Sequence, residues 1–121
     1  MSDLDALISR LTTAGVVRVY KFGSVPASPS YPYAVVSPAY GAPTVRTLDG
    51  SGKPIGRFTV QFFGRLIDGL VDAAAKAFVA FDGVELSELD GDPVAWQELS
   101  TPPYRDPDTA GVLDITHTYR F

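Results

Sequence analysis

Fourteen carboxylates and a single imidazole, with no thiol, are the side chains from which this 121-residue chain would have to build acid/base or metal chemistry. The candidate carboxylate pairs are Glu85 with Glu88 and Asp90 with Asp92. A general acid and a general base need environments that push their proton affinities apart. These pairs flank a turn, where water would level them. Asp90-Gly91-Asp92 also lacks the ligand spacing and distal glutamate of a calcium loop. With no cysteine and only His117, thiolate catalysis, disulfides and zinc sites built on cysteine or several histidines are excluded. Gly50-Ser51-Gly52-Lys53 fails as a phosphate loop, because the leading glycine is missing and Pro54 stands where serine or threonine must follow the lysine. No Gly-x-Ser-x-Gly nucleophile elbow occurs. The residues therefore point to no catalytic, cofactor or metal site, and the expectation is a protein that is not an enzyme.

The elements that carry these residues are legible from periodicity. Leu4, Leu7, Ile8 and Leu11 recur at helical spacing, with Ser2 placed to cap, Asp5 near the positive end of the dipole and Gly15 placed to stop the helix. Val16 to Phe22 and Tyr33 to Ser37 read as strands, separated by a proline- and serine-rich loop. Residues 38–56 form a second long loop with Asp49-Gly50 and Ser51-Gly52 turns, read as a flexible hairpin arm. Arg57 to Gly64 alternates: Phe58, Val60 and Phe62 against Arg57, Thr59 and Gln61.

A second helix follows on Ile67, Leu70, Val71, Ala74 and Phe78, with Asp72 four residues before Lys76 and a stop at Asp82-Gly83. Ala73, Ala77 and Ala80 make a small face beside this stripe; alanine is also the best intrinsic helix former. The last third predicts strands over Val84–Leu89, Val94–Ser100 and Val112–Phe121, with a tight turn at Asp90–Pro93 and a proline-rich loop over 101–111. Trp96 is expected as a packing anchor on the face of Val94. His117 is expected as a hydrogen-bonded core or interface residue on the face of Leu113, Ile115, Tyr119 and Phe121.

All ten prolines fall outside or at the edges of these elements, so local signals agree with one another. The order helix, three strands, helix, three strands predicts a single α+β domain over 1–121: an antiparallel or mixed sheet with two amphipathic helices packed on one face. The hydrophobic share of 45% is ordinary for one such domain. A net charge of −4 has the wrong sign for gripping nucleic-acid backbones. The acidic opening at Ser2, Asp3 and Asp5 is unlike a secretory signal, and no apolar run is long enough to cross a bilayer, so a cytoplasmic origin without membrane contact is expected.

The order of segments resembles a known family. Tyr31-Pro32-Tyr33 leads into the short strand Ala34-Val35-Val36-Ser37, closed by Pro38. A glycine-bearing arm, the aromatic strand Arg57 to Arg65, an amphipathic helix and a terminal strand ending Thr118-Tyr119-Arg120-Phe121 follow. This pattern, over about residues 4–121, resembles the tail terminator proteins of long-tailed bacteriophages, also called tail completion or minor tail proteins.

The resemblance implies a structural virion protein, assembled in the host cytoplasm, that forms a homohexameric ring. Such a ring caps the major tail tube protein, terminates polymerisation and joins the tail to the head-tail connector protein, while DNA passes through without specific binding. On this reading Tyr40, Arg46, Leu48, Lys53 and Ile55 of the arm, with Tyr104 and Arg105 of the 101–111 loop, make inter-subunit or tube contacts, since aromatic and arginine residues anchor interfaces; the alternative is that they are solvated loop residues. Two rival readings are another ring component of the phage neck, such as a head-closure or head-tail joining protein, and a small cytoplasmic dimeric binding domain.

Overall fold

The computed structural model describes residues 3–16, 18–38, 57–86, 94–107 and 109–121. Its first helix, α1 (Asp3–Thr13), ends as the sequence predicts. Gly15 takes a φ of 102°, the left-handed conformation that glycine adopts without steric cost. Its N–H reaches the Thr12 carbonyl at 3.1 Å, and the Val16 N–H reaches the Leu11 carbonyl at 3.1 Å. These two bonds satisfy carbonyls that the helix end would otherwise orphan, and Val16 packs into the core with Leu11. The cap takes Val16 out of the expected strand. What remains is β1 (Val19–Lys21), extended at each end by bonds from the Ala34 N–H to the Arg18 carbonyl and from the Phe22 N–H to the Val36 carbonyl, both 2.9 Å.

Next come β2 (Tyr33–Pro38), β3 (Arg57–Gly64), α2 (Ile67–Phe81), β4 (Val84–Glu85), β5 (Val94–Ser100), β6 (Tyr104–Arg105) and β7 (Leu113–Arg120). Among the described residues the strands form one sheet in the order β1-β2-β3-β7-β5-β4, with β6 also on β7. β1 runs parallel to β2, and the other described pairings are antiparallel. The fold is therefore α+β, with the mixed form of the two expected sheets.

Two expectations for the last third change. Of the predicted strand from Val84 to Leu89, the described residues pair at Val84–Glu85, after which Leu86 turns into the core; residues 87–89 and the expected Asp90–Pro93 turn lie outside the described residues. The 101–111 segment is not all loop. Pro102 and Pro103 have no N–H to give to a ladder, so the chain leaves β7 there. It then rejoins: Tyr104 pairs with Asp114 and Arg105 with Leu113, and the Asp106 N–H closes the return on the Val112 carbonyl at 2.8 Å. β6 thus continues the lane that β5 began along β7.

The core follows from alternation. β3 buries Phe58, Val60, Phe62 and Gly64 and half-buries the residues between them. Its register sets Phe58 beside Tyr119, Val60 beside His117 and Phe62 beside Ile115. Phe58, Val60, Phe62, Ile115 and Tyr119, with Ala34, Val36 and Ala95, share one apolar cluster with Ala6, Leu7 and Leu11 of α1 and Leu70, Ala74, Ala77 and Phe81 of α2. α1 contacts β1 and β2, whereas α2 contacts β3, β7, β5 and β4.

Candidate subunit interface

α2 is apolar around most of its circumference, so periodicity alone gives it no single phase. The stripe expected to face the sheet was Ile67, Leu70, Val71, Ala74 and Phe78. The structure turns the helix so that Leu70, Ala73, Ala74, Ala77 and Phe81 are buried. The alanines let the helix lie close to the sheet, and Phe81 meets the rings of Phe58 and Tyr119, with centroids 5.0 and 5.2 Å away. Ile67, Val71 and Phe78 are left half exposed, and Val79 is 75% exposed. Ala73 and Ala77 of the small face are used inside.

Between this outer side of α2 and strands β5 and β7 runs an open groove of about 410 Å³, lined chiefly by Val71, Ala75, Phe78, Val79, Ile115 and His117. An exposed helix face this apolar, continuing into a concavity, is the kind of surface that proteins use to bind one another. Asp68 and Asp72 stand exposed on the same helix, the latter paired with Lys76 at 2.9 Å.

At the back of the groove His117 is 4% exposed. Its Nδ1 lies 2.8 Å from the Tyr119 hydroxyl, and its ring meets the edge of Phe62 at 5.1 Å. Burial lowers its pKa from 6.5 to about 4, so it is neutral near pH 7. Burial likewise raises the Tyr119 pKa, with Asp82 adding to the rise and a hydrogen bond with Gln97 opposing it. The expected core role for His117 is what the structure shows.

Trp96 departs from expectation. It is 50% exposed and Val94 40% exposed, while Ala95 points inward. Glycine at position 83 makes room for the indole: a β-carbon there would lie 3.3 Å from Trp96 Cζ3. Beside Trp96, Glu98 sits where the β5 register shifts between Gln97 and Leu99, and it receives Arg57 Nε at 2.8 Å. That hydrogen bond, more than the charge, holds the Glu98 carboxyl below its ordinary pKa.

At the far end of the sheet Tyr20, Tyr31, Tyr33 and Phe63 form a chain of rings, with Tyr33 stacked on Phe63 at 4.9 Å and the Arg65 guanidinium 4.7 Å from the Tyr31 centroid. Asp114 and Asp106 lie close by; desolvation first, then the Asp106 charge, raises the Asp114 pKa.

Of the interface residues expected from sequence, Tyr104 and Arg105 are exposed, but on the short strand β6 rather than on a loop. Tyr40, Arg46, Leu48, Lys53 and Ile55, and the arm that carries them, lie outside the described residues, as do Glu88, Asp90 and Asp92. Glu85 is exposed, and its carbonyl accepts a bond from Arg10 Nη2 at 3.3 Å. Among the described residues no group of three or more histidine or carboxylate side chains converges as a metal site, and no helix is long and apolar enough to cross a membrane. Sequence reasoning missed the groove; its signal was the excess of large apolar residues on α2 over what one face requires.

No protein-family model and no curated protein matches this sequence. Among solved structures, a chain of the "Virion of native gene transfer agent (GTA) particle" superposes with a TM-score of 0.67 at 18% identity, over 98% of this chain and 92% of that one. At that identity the likeness establishes a common fold, carried through nearly the whole length of both chains.

Proposed function

We propose that this chain is a structural subunit of a phage-like particle, closing into a homohexameric ring at the end of the tail tube. There it stops polymerisation of the major tail tube protein and offers a docking surface to the head-tail connector protein. The observation that carries this reading is the likeness, over almost the entire chain, to a component of a gene transfer agent virion. A domain that matches from end to end shares the whole architecture. The exposed apolar side of α2 supports self-association, since a helix apolar nearly all round belongs inside an assembly. The absence of a catalytic constellation in the sequence agrees with a structural rather than enzymatic role.

In this role the ring sits in the virion at the head-tail interface, and DNA crosses it without specific binding. The net charge of −4 disfavours adhesion of the polyanion. Tyr40, Arg46, Leu48, Lys53 and Ile55 of the arm, with Tyr104 and Arg105, contact neighbouring subunits or the tube.

Mass photometry and negative-stain microscopy of the purified protein, alone and with tail tubes, test the reading. Six-subunit rings that cap one tube end are expected. A dimer would favour the small binding domain instead, and rings that bind head connectors but never tubes would favour another neck position. Truncating the 38–56 arm to a short glycine-rich turn should abolish stable rings or yield tails of irregular length; stable rings and tails of normal length would overturn the role given to the arm.

A further inference from the structure

We propose that copies of this chain join head to tail through one contact, in which the Phe22 turn of one copy enters the α2–β5 groove of the next. The proposal rests on the ring reading and names the surfaces that would close the ring.

Phe22 is 69% exposed, yet its backbone is held fast. Its N–H bonds the Val36 carbonyl at 2.9 Å, and the turn around it closes from the Ser24 N–H to the Lys21 carbonyl at 2.9 Å. Gly23 supplies the positive φ of 88° that lets the chain reverse there. Among the described residues, a β-carbon on Gly23 would meet nothing within 4 Å, so that position of the turn faces open space. A large aromatic ring on a rigid, projecting turn loses little entropy on binding, which is the character of an interface anchor.

The receiving surface is concave and apolar where the turn is convex and apolar. Val71, Phe78, Val79 and Ile115 line it. The two surfaces lie toward opposite edges of the sheet: Phe22 follows edge strand β1, and the groove is bounded by β5, next to the other edge. Two different patches on one subunit make a heterologous contact, which repeats from copy to copy and closes into a ring when the rotation permits.

Charge matches in the same sense. Lys21 leads into the turn, whereas Asp68 and Asp72 stand on the helix that walls the groove. Lys21 makes a half-exposed pair with Asp5 at 3.1 Å, and Asp72 the exposed pair with Lys76. Such surface pairs are weak enough to exchange partners on docking.

The natural chain has no cysteine, so introduced thiols report this contact without background. Phe22→Cys and Val79→Cys single variants, mixed and oxidised, should give a covalent dimer containing one of each. The double variant should give a ladder ending at the ring's subunit number. Each single variant cross-linking to itself, with no mixed dimer, would overturn the contact. In parallel, Phe22→Asp, at an exposed position, should keep its circular dichroism and weaken self-association by about 30-fold or more. Rings from wild type and Phe22→Asp alike would sink this contact and leave the ring reading intact. A wild-type protein monomeric at every concentration would sink both.

Discussion

The imidazole of His117 and the phenol of Tyr119, two positions apart on β7, meet at 2.8 Å in the buried layer between sheet and α2. Folding lowers this histidine's proton affinity, from an ordinary pKa of 6.5 to about 4. As pH falls through 6.5, the unfolded chain takes up the proton before the folded one does. Stability is therefore full above 6.5, declines between 6.5 and 4, and loses on the order of 3 kcal/mol across that window. His117 is the single histidine, so urea unfolding between pH 6.5 and 5 reports it with little carboxylate interference. His117→Gln, which keeps a polar group toward Tyr119 and does not titrate, should flatten the curve there. A wild-type curve equally flat would mean that the ring protonates in place without cost.

Phe58 holds the aromatic centre together. It is 1% exposed and touches three rings, with centroids 5.2 Å from Tyr119, 5.0 Å from Phe81 and 5.8 Å from Phe121. Phe58→Ala removes the ring that joins β3, β7 and α2 and should cost about 3–5 kcal/mol in denaturant unfolding. A loss below about 1.5 kcal/mol would mean that the neighbours collapse into the space.

Gly15→Ala should destabilise by about 1–2 kcal/mol, because an L-residue must bear the φ of 102° on which the α1 cap depends. Space is not the obstacle: the nearest atom to a new β-carbon is Lys76 Cδ at 3.6 Å. Thermal unfolding of Gly15→Ala beside Gly15→Asn separates the two, since asparagine tolerates the left-handed region better. Equal melting temperatures for wild type and both variants would show that the cap contributes nothing.

Gly83→Ala combines backbone strain with a clash. The φ is 71°, and the new methyl would sit 3.3 Å from Trp96 Cζ3. Trp96 is the single tryptophan, so its fluorescence reads the outcome directly. The variant should be less stable, and its native emission maximum should shift as the indole is pushed off the Asp82–Gly83 turn. An unchanged spectrum would place the indole elsewhere.

The parts of the fold that were plain in the sequence are those where one physical signal acts alone. β3 runs from Arg57 to Gly64 as alternation predicted, because one face of the strand is apolar and the other polar. Both helix stops lie where Gly15 and Asp82-Gly83 placed them. The phase of α2 was not legible, since apolar residues lie all around it and only the fit of alanines against the sheet chooses among rotations. Trp96 went to the outer face because Ala95, the smaller residue, takes the inward position under α2. β1 was overestimated because Val16 satisfies both a strand propensity and a helix cap, and the cap prevailed. The surplus of large apolar residues on α2 signals an exposed apolar side, but the shape of the groove depends on residues from α2, β5 and β7 meeting in space.

β7 pairs with β3 on one side and with β5 and β6 on the other, so the last strand in chain order is an interior one. Without it, β1-β2-β3 and β5-β4 are two separate ladders, so the sheet and the wall made by Ile115 and His117 are completed together when β7 is seated between them. A substitution that unseats β7 therefore removes the groove along with the core.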